Sequence, residues 1–139
     1  ISHTIRVYRA ANQTISTATT TKVQFETRTL DNYSEFDITT NYRLTPQLEG
    51  VWIFFFTATI QSLNGRLLVQ LAKNATSGSQ SLYSSPGADV AGPAIEIFQM
   101  NGSTDYVEGF VQHNHGSDRT LEGGDDNTFL VAHHLGLPN

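Results

Sequence analysis

The sequence predicts one all-β domain, a sandwich of roughly eight to ten short antiparallel strands. Alternating or β-branched segments recur between turn signals, and no window long enough for a helix keeps a helical period. Charged residues make up only 15% of the 139 residues, and uncharged polar residues that suit strands and turns replace them. Because no linker or repeat interrupts the chain, we expect a single domain over 1–139, with an N-terminal strand and loop over 1–21 and a core over 22–139.

The N-terminal third contains two weakly patterned strands. Residues 3–8 and 22–26 alternate polar and apolar side chains, which predicts that each is a half-buried strand. The polar segment 10–21 between them is expected to be a loop. A turn is predicted at 31–34, and a short extended piece at 42–45 precedes a proline.

The strongest strand signal runs from Val51 to Gln61, where β-branched and aromatic residues dominate. Its even-numbered side chains form one apolar face: Trp52, Phe54, Phe56, Ala58 and Ile60. Val51, Ile53 and Phe55 form a second apolar face, on the opposite side of the same strand. Only one face can fill the core of a sandwich, so we expect a neighbouring subunit to cover Val51, Ile53 and Phe55.

The remaining strands are separated by turn and loop signals. Asn64-Gly65 predicts a tight hairpin, and Asn101-Gly102 predicts another turn. The Ser/Gly-rich stretch 74–92 is expected to be mostly loop, with one short edge strand, and 117–126 is expected to be a polar acidic loop. The expected strands are at 66–73, 81–83, 93–100, 106–115 and 127–134.

A series of motifs follows Tyr42 in a characteristic order. It comprises Pro46 and Gly50 before Val51–Phe55, then Val69–Asn74, Ala94–Ile97, Asp105 before Val107–Gln112, and Thr128–Val131. This order resembles the globular head of complement C-one-q, whose jelly roll is shared with tumour necrosis factor. The opening segments Ile5–Ala10 and Val23–Thr27 are similar to versions of this domain in bacterial and bacteriophage surface appendage proteins. The resemblance implies a jelly-roll protomer that forms a homotrimer and binds through loops and subunit clefts.

Two groups of residues are candidates for a metal site. His113 and His115 lie on one face of a predicted strand, ~7 Å apart, but a structural role is the alternative because no third ligand is identifiable. Asp118, Glu122, Asp125 and Asp126 lie in one glycine-rich loop, whose oxygens suit a hard cation such as calcium. The resembling family sometimes carries calcium near the trimer apex, whereas the alternative is a solvated acidic loop. No other cofactor is expected.

Three aromatic residues are candidates for binding a ligand. Tyr33 and Phe36 lie near a predicted turn, and Tyr83 lies near a predicted edge strand. In such places aromatic rings stack on sugars or protein partners, although a core contact is the alternative for each.

Composition and motifs also exclude several functions. The net charge of −5 without a basic stripe argues against nucleic acid, and no apolar run approaches the ~20 residues of a membrane span, so no membrane insertion is expected. Cysteine is absent and no Gly-x-Ser-x-Gly elbow occurs, so we do not expect an enzyme.

The function that remains is a trimeric surface-binding module of a phage or bacterial appendage. It would be located extracellularly or on a virion surface, and its partners would be itself and a host-surface glycan or protein. A structural virion protein, such as a capsid decoration or capping protein that holds neighbouring virion proteins, is the alternative. An enzyme acting on polysaccharide would need paired carboxylates that the sequence does not reveal.

Overall fold

A computed structural model of the chain describes residues 3–137, which form nine strands. They are β1 (Thr4–Tyr8), β2 (Gln13–Ile15), β3 (Thr21–Lys22), β4 (Thr27–Asp31), β5 (Gly50–Lys73), β6 (Thr76–Met100), β7 (Val107–His113), β8 (Arg119–Leu121) and β9 (Phe129–Gly136). The all-β sandwich expected from the sequence is confirmed. Within the same residues, no helix is long and apolar enough to cross a membrane.

The long hairpin of β5 and β6 is folded over, so that both strands pass from one layer of the sandwich to the other. In the first layer, the first half of β5 lies between β9 and the second half of β6, and β1 and β4 continue the sheet beyond β9. In the second layer, the second half of β5 lies between the first half of β6 and β7, and β3 pairs with β7. All pairings are antiparallel, as a sandwich of this kind requires.

The bend in β5 lies at Gln61–Ser62, and it changes which residues face the core. Before the bend the even-numbered side chains from Trp52 to Ile60 are buried, and after it Leu63, Leu67, Val69 and Leu71 are buried. The pairing with β6 shifts register between Ile60 and Asn64, which is the effect of a bulge. The hairpin predicted at Asn64-Gly65 is therefore wrong, because β5 continues through these residues into the second layer.

The loop predicted at 74–92 is also wrong. Apart from the turn at its start, this stretch is the first half of β6 and pairs with β5 from Lys73↔Thr76 onward. Asn74 and Ala75 form the turn with φ of 50° and 64°, the two positive values of a tight two-residue hairpin. Backbone pairing with the apolar β5 overrides the weak strand propensity of its Ser and Gly residues.

Short strands near the N-terminus and in the acidic loop differ from the prediction. Of the expected strand 22–26, only Lys22 lies in a strand, as the second residue of β3, although Val23 and Phe25 are fully buried as the alternation suggested. β2 and β8 lie within expected loops and pair with each other, and β4 was not predicted. The turn at 31–34 is confirmed by a hydrogen bond from the Ser34 N–H to the Asp31 carbonyl.

Candidate functional site

The outward surface of the first layer carries an apolar patch on three neighbouring strands, and His133 and Gln99 lie at its border. Phe55 of β5 lies beside Ile95 of β6 and Val131 of β9, and Ile53 lies beside Ile97. Ile95 and Ile97 are 51% and 55% exposed. We call this surface the apolar face, and its members are Val51, Ile53, Phe55, Ile95, Ile97 and Val131.

Phe55 is held firmly at the centre of the apolar face. Its ring stacks on Phe129 of β9, with centroids 6.0 Å apart and planes 20° apart. The guanidinium of Arg6 lies over the other ring of this pair, 4.5 Å from the Phe129 centroid. A pre-ordered aromatic surface loses little conformational entropy when a partner covers it.

The two halves of β6 belong to different layers, and side chains from each half contact the other between the layers. The Phe98 ring lies against Gly78 and the Tyr83 ring lies against Gly92, so that any side chain at either glycine would clash with a ring. The Tyr83 hydroxyl donates a hydrogen bond to the Pro93 carbonyl at 2.6 Å. Tyr83 was predicted to bind a ligand, but these contacts hold its ring within the sandwich edge.

The Tyr83→Phe variant should lose about 1 kcal/mol of unfolding free energy, because the Pro93 carbonyl loses its hydroxyl partner while the ring keeps its packing. Urea unfolding followed by circular dichroism, at one fixed protomer concentration, measures the difference. Tyr8→Phe is the matched control, since the Tyr8 hydroxyl makes no hydrogen bond within residues 3–137. Equal losses in the two variants would contradict the role of the Tyr83 hydroxyl.

Of the other two aromatic candidates, only Tyr33 is accessible. Phe36 is 1% exposed, and its ring packs edge-on against Phe25 with centroids 5.9 Å apart. The prediction that Phe36 binds a ligand is therefore wrong, because its side chain is part of the core. Tyr33 is 36% exposed and stacks on the His3 ring at 4.1 Å.

His113 is held by main-chain hydrogen bonds on both ring nitrogens. Its Nε2 lies 2.8 Å from the Ile15 carbonyl, which accepts only, so the hydrogen is on Nε2. Its Nδ1 accepts the His115 N–H at 3.2 Å. The ring is 2% exposed and has no lone pair left for a metal. His113 thus connects β7 to β2.

His115 lies two residues beyond the end of β7, and its environment differs from that of His113. Its Nδ1 accepts the Asn64 N–H at 3.0 Å, and its ring centroid is 6.5 Å from that of His113. Desolvation, followed by the charge of Arg119, lowers the pKa of His115 below its ordinary value of 6.5.

Acidification should consequently destabilise the wild-type protein in the range just below pH 6.5. There the unfolded chain takes up a proton at this histidine before the folded chain does, so unfolding becomes more favourable as the pH falls. Melting temperatures of the wild type and of His115→Gln, measured from about pH 7.5 to about pH 5, test this expectation. The variant should show the smaller decline, and parallel curves would contradict it.

The acidic loop does not gather the predicted metal ligands. Within residues 3–137, no three His, Asp or Glu side chains lie close enough to hold a metal ion. The backbone of the loop is instead tied to neighbouring elements, because the Glu122 carbonyl accepts the Thr128 hydroxyl at 2.8 Å and the Glu122 N–H donates to Thr59. Among the described residues of one protomer, therefore, neither the acidic loop with Asp118, Glu122, Asp125 and Asp126 nor the pair His113 and His115 brings three metal-ligating side chains together.

Comparison with known proteins finds solved structures with the same fold. No family model matches the sequence, and no curated protein matches it. Solved structures similar to this chain include murine APRIL, with a TM-score of 0.75, 11% identity, and coverage of 97% of this chain and 100% of that one. Eiger TNF from S. frugiperda gives 0.72 at 12% identity, covering 99% and 95% of the two chains. The globular domain of zebrafish complement 1qA gives 0.66 at 15% identity, covering 99% and 100%.

The fold is a tumour necrosis factor-like jelly roll. The jelly roll explains why one long hairpin contributes to both layers, and it places the apolar face on the layer formed by β4, β1, β9, β5 and β6. The sequence had suggested Val51, Ile53 and Phe55 for the apolar face but not Ile95 and Ile97. The sequence contains one indication that these two residues belong to it, which is that both isoleucines lie on one side of the strand expected at 93–100.

Proposed function

We propose that this chain is a non-catalytic binding module that acts as a homotrimer outside the cell. Its place would be the surface of a virion or of a bacterial appendage, where it recognises a component of the host surface. The resemblance of its opening segments to bacterial and bacteriophage appendage domains supports that location. The similarity to jelly rolls of tumour necrosis factor and complement proteins supports a binding role.

The observation that carries the proposal is the apolar face. Its central side chains are uncharged, and Ile95 and Ile97 are each more than half exposed in a single protomer. A contiguous apolar surface of this kind is stabilised when a partner covers it. A second copy of the chain is always present at matching concentration, and a head-to-tail contact that closes after three copies leaves no subunit with an uncovered face.

A trimer would also allow sites of low individual affinity to bind a surface tightly. Three identical sites on one rigid body convert the second and third binding events into intramolecular ones, which raises avidity without new contacts. The second layer and the loops beside it stay free for a ligand, because the first layer is occupied by self-association.

Sedimentation equilibrium of the wild-type chain over a wide concentration range tests the proposal. We expect a trimer, or a monomer–trimer equilibrium at the lowest concentrations. A monomer or a dimer throughout the range would overturn it.

A further inference from the structure

The outward surface of the second layer contains a small cavity. It has a volume of about 90 Å³, lies near the bend of β5, and is lined by Ala18, Arg66, Leu68, Gln112, His113 and Asn114. We call it the Arg66 pocket. Leu68 pairs with Gln112 across β5 and β7, and their neighbours Leu67 and His113 point to the core. Alternation along the two strands therefore directs Arg66, Leu68 and Gln112 outward.

Arg66 differs from the other arginines of the described chain. Its guanidinium makes no hydrogen bond or ion pair with any residue between 3 and 137, and only its backbone is bonded, to Asn114. Every other arginine contacts a carbonyl, a carboxylate or an aromatic ring: Arg6, Arg9, Arg28, Arg43 and Arg119. A guanidinium is a rigid fork of donors suited to a planar carboxylate, and at the exposed Arg66 that fork has no partner among residues 3–137.

Two amide groups beside Arg66 add further donors. Asn114 uses its Oδ1 to accept the Arg66 N–H at 2.6 Å, and its Nδ2 has no partner among residues 3–137. Gln112 uses its Oε1 to accept the Thr20 hydroxyl at 3.3 Å, which likewise leaves its Nε2 unused. No carboxylate lines the pocket. The available groups are therefore donors, which favours a ligand rich in oxygen acceptors that carries negative charge.

The remaining walls are apolar. Leu68 and Ala18 give the pocket a hydrophobic side next to its three donors. A sugar ring offers the matching combination, since its C–H face packs on apolar side chains while its hydroxyls accept from amides. A carboxylate on the ring would fill the small cavity and pair with the Arg66 guanidinium.

We propose that the Arg66 pocket binds a carboxylate-bearing sugar residue, such as a uronic acid of a surface polysaccharide. This inference rests on the proposed function, because it names the ligand class that the surface-binding module recognises. The pocket lies on the layer opposite the apolar face, so each trimer would present three copies of it to solvent.

Isothermal titration of the wild-type protein with D-glucuronate, D-glucose and acetate tests the pocket. A single sugar in a shallow site should bind with a Kd of about 1 mM. Glucuronate should bind at least about tenfold more tightly than either glucose or acetate, because it alone engages both the guanidinium and the amides. Arg66→Gln should weaken glucuronate binding about tenfold or more. Arg43→Gln removes the same charge near the opposite end of β7 and should change nothing.

The outcomes separate this inference from the trimer. Equal glucuronate binding by the wild type and Arg66→Gln, or acetate binding as tightly as glucuronate, would overturn the sugar site. Light scattering and circular dichroism of the same samples report assembly and fold, and Arg66→Gln should match the wild type in both. A trimer that binds no glucuronate overturns the pocket alone, and a monomer that binds it overturns the trimer alone.

Discussion

The Ile97→Asp variant should sediment as a monomer, whereas Leu82→Asp should remain a trimer. Both residues belong to β6, and they are 55% and 52% exposed in the protomer, but they lie on opposite layers of the sandwich. A carboxylate on the apolar face would be desolvated without a partner in the trimer, which costs several kcal/mol at each interface. The same carboxylate at position 82 stays in water.

The two variants are matched so that a loss of assembly can be distinguished from a loss of folding. Because both side chains are half exposed, neither substitution should disturb the core, and both circular dichroism spectra should equal that of the wild type. Dissociation of both variants, or of neither, would contradict the assignment of the apolar face to self-association.

The Phe36→Ala variant should lose about 3–5 kcal/mol of unfolding free energy. The ring is enclosed in the core beside Phe25, so truncation removes buried apolar surface and leaves a cavity. Tyr33→Ala, three residues away on the exposed side of the turn, should cost less than about 1 kcal/mol. Urea unfolding at a fixed protomer concentration measures both, since assembly contributes to apparent stability.

A loss for Phe36→Ala no larger than that for Tyr33→Ala would show that Phe36 is not a core residue. It would restore the interpretation of Phe36 as a side chain available for stacking on a ligand. The comparison therefore decides between the sequence-based prediction and the structural position of this ring.

Strand β5 shows what could be predicted from the sequence. The even and odd faces of residues 51–60 were predictable because strand periodicity is local and the segment is strongly apolar. The bend at Gln61–Ser62 was not, since a bulge requires only one or two unremarkable residues. Asn64-Gly65, which usually marks a hairpin, instead lies just beyond that bulge.

The candidate sites could not be predicted in full, because they depend on contacts between segments that are far apart in the sequence. Ile95 and Ile97 join the apolar face only because β6 pairs in register with the first half of β5, which no local pattern reveals. Similarly, His113 could be placed on an inward face, but its hydrogen bond to Ile15 spans much of the chain. The Arg66 pocket was missed for the same reason, because a missing partner becomes visible only when the neighbours of Arg66 are known.

Side-chain labelling of the unmodified protein tests the central claim, that one layer self-associates and the other faces solvent. Hydroxyl radicals oxidise exposed Leu and Ile side chains, and mass spectrometry of β6 peptides compares Ile97 with Leu82, each normalised to the denatured chain. In an isolated protomer the two should be labelled alike, because their exposures are 55% and 52%. We expect Leu82 to be labelled and Ile97 to be protected. Equal labelling of the two side chains would contradict the account.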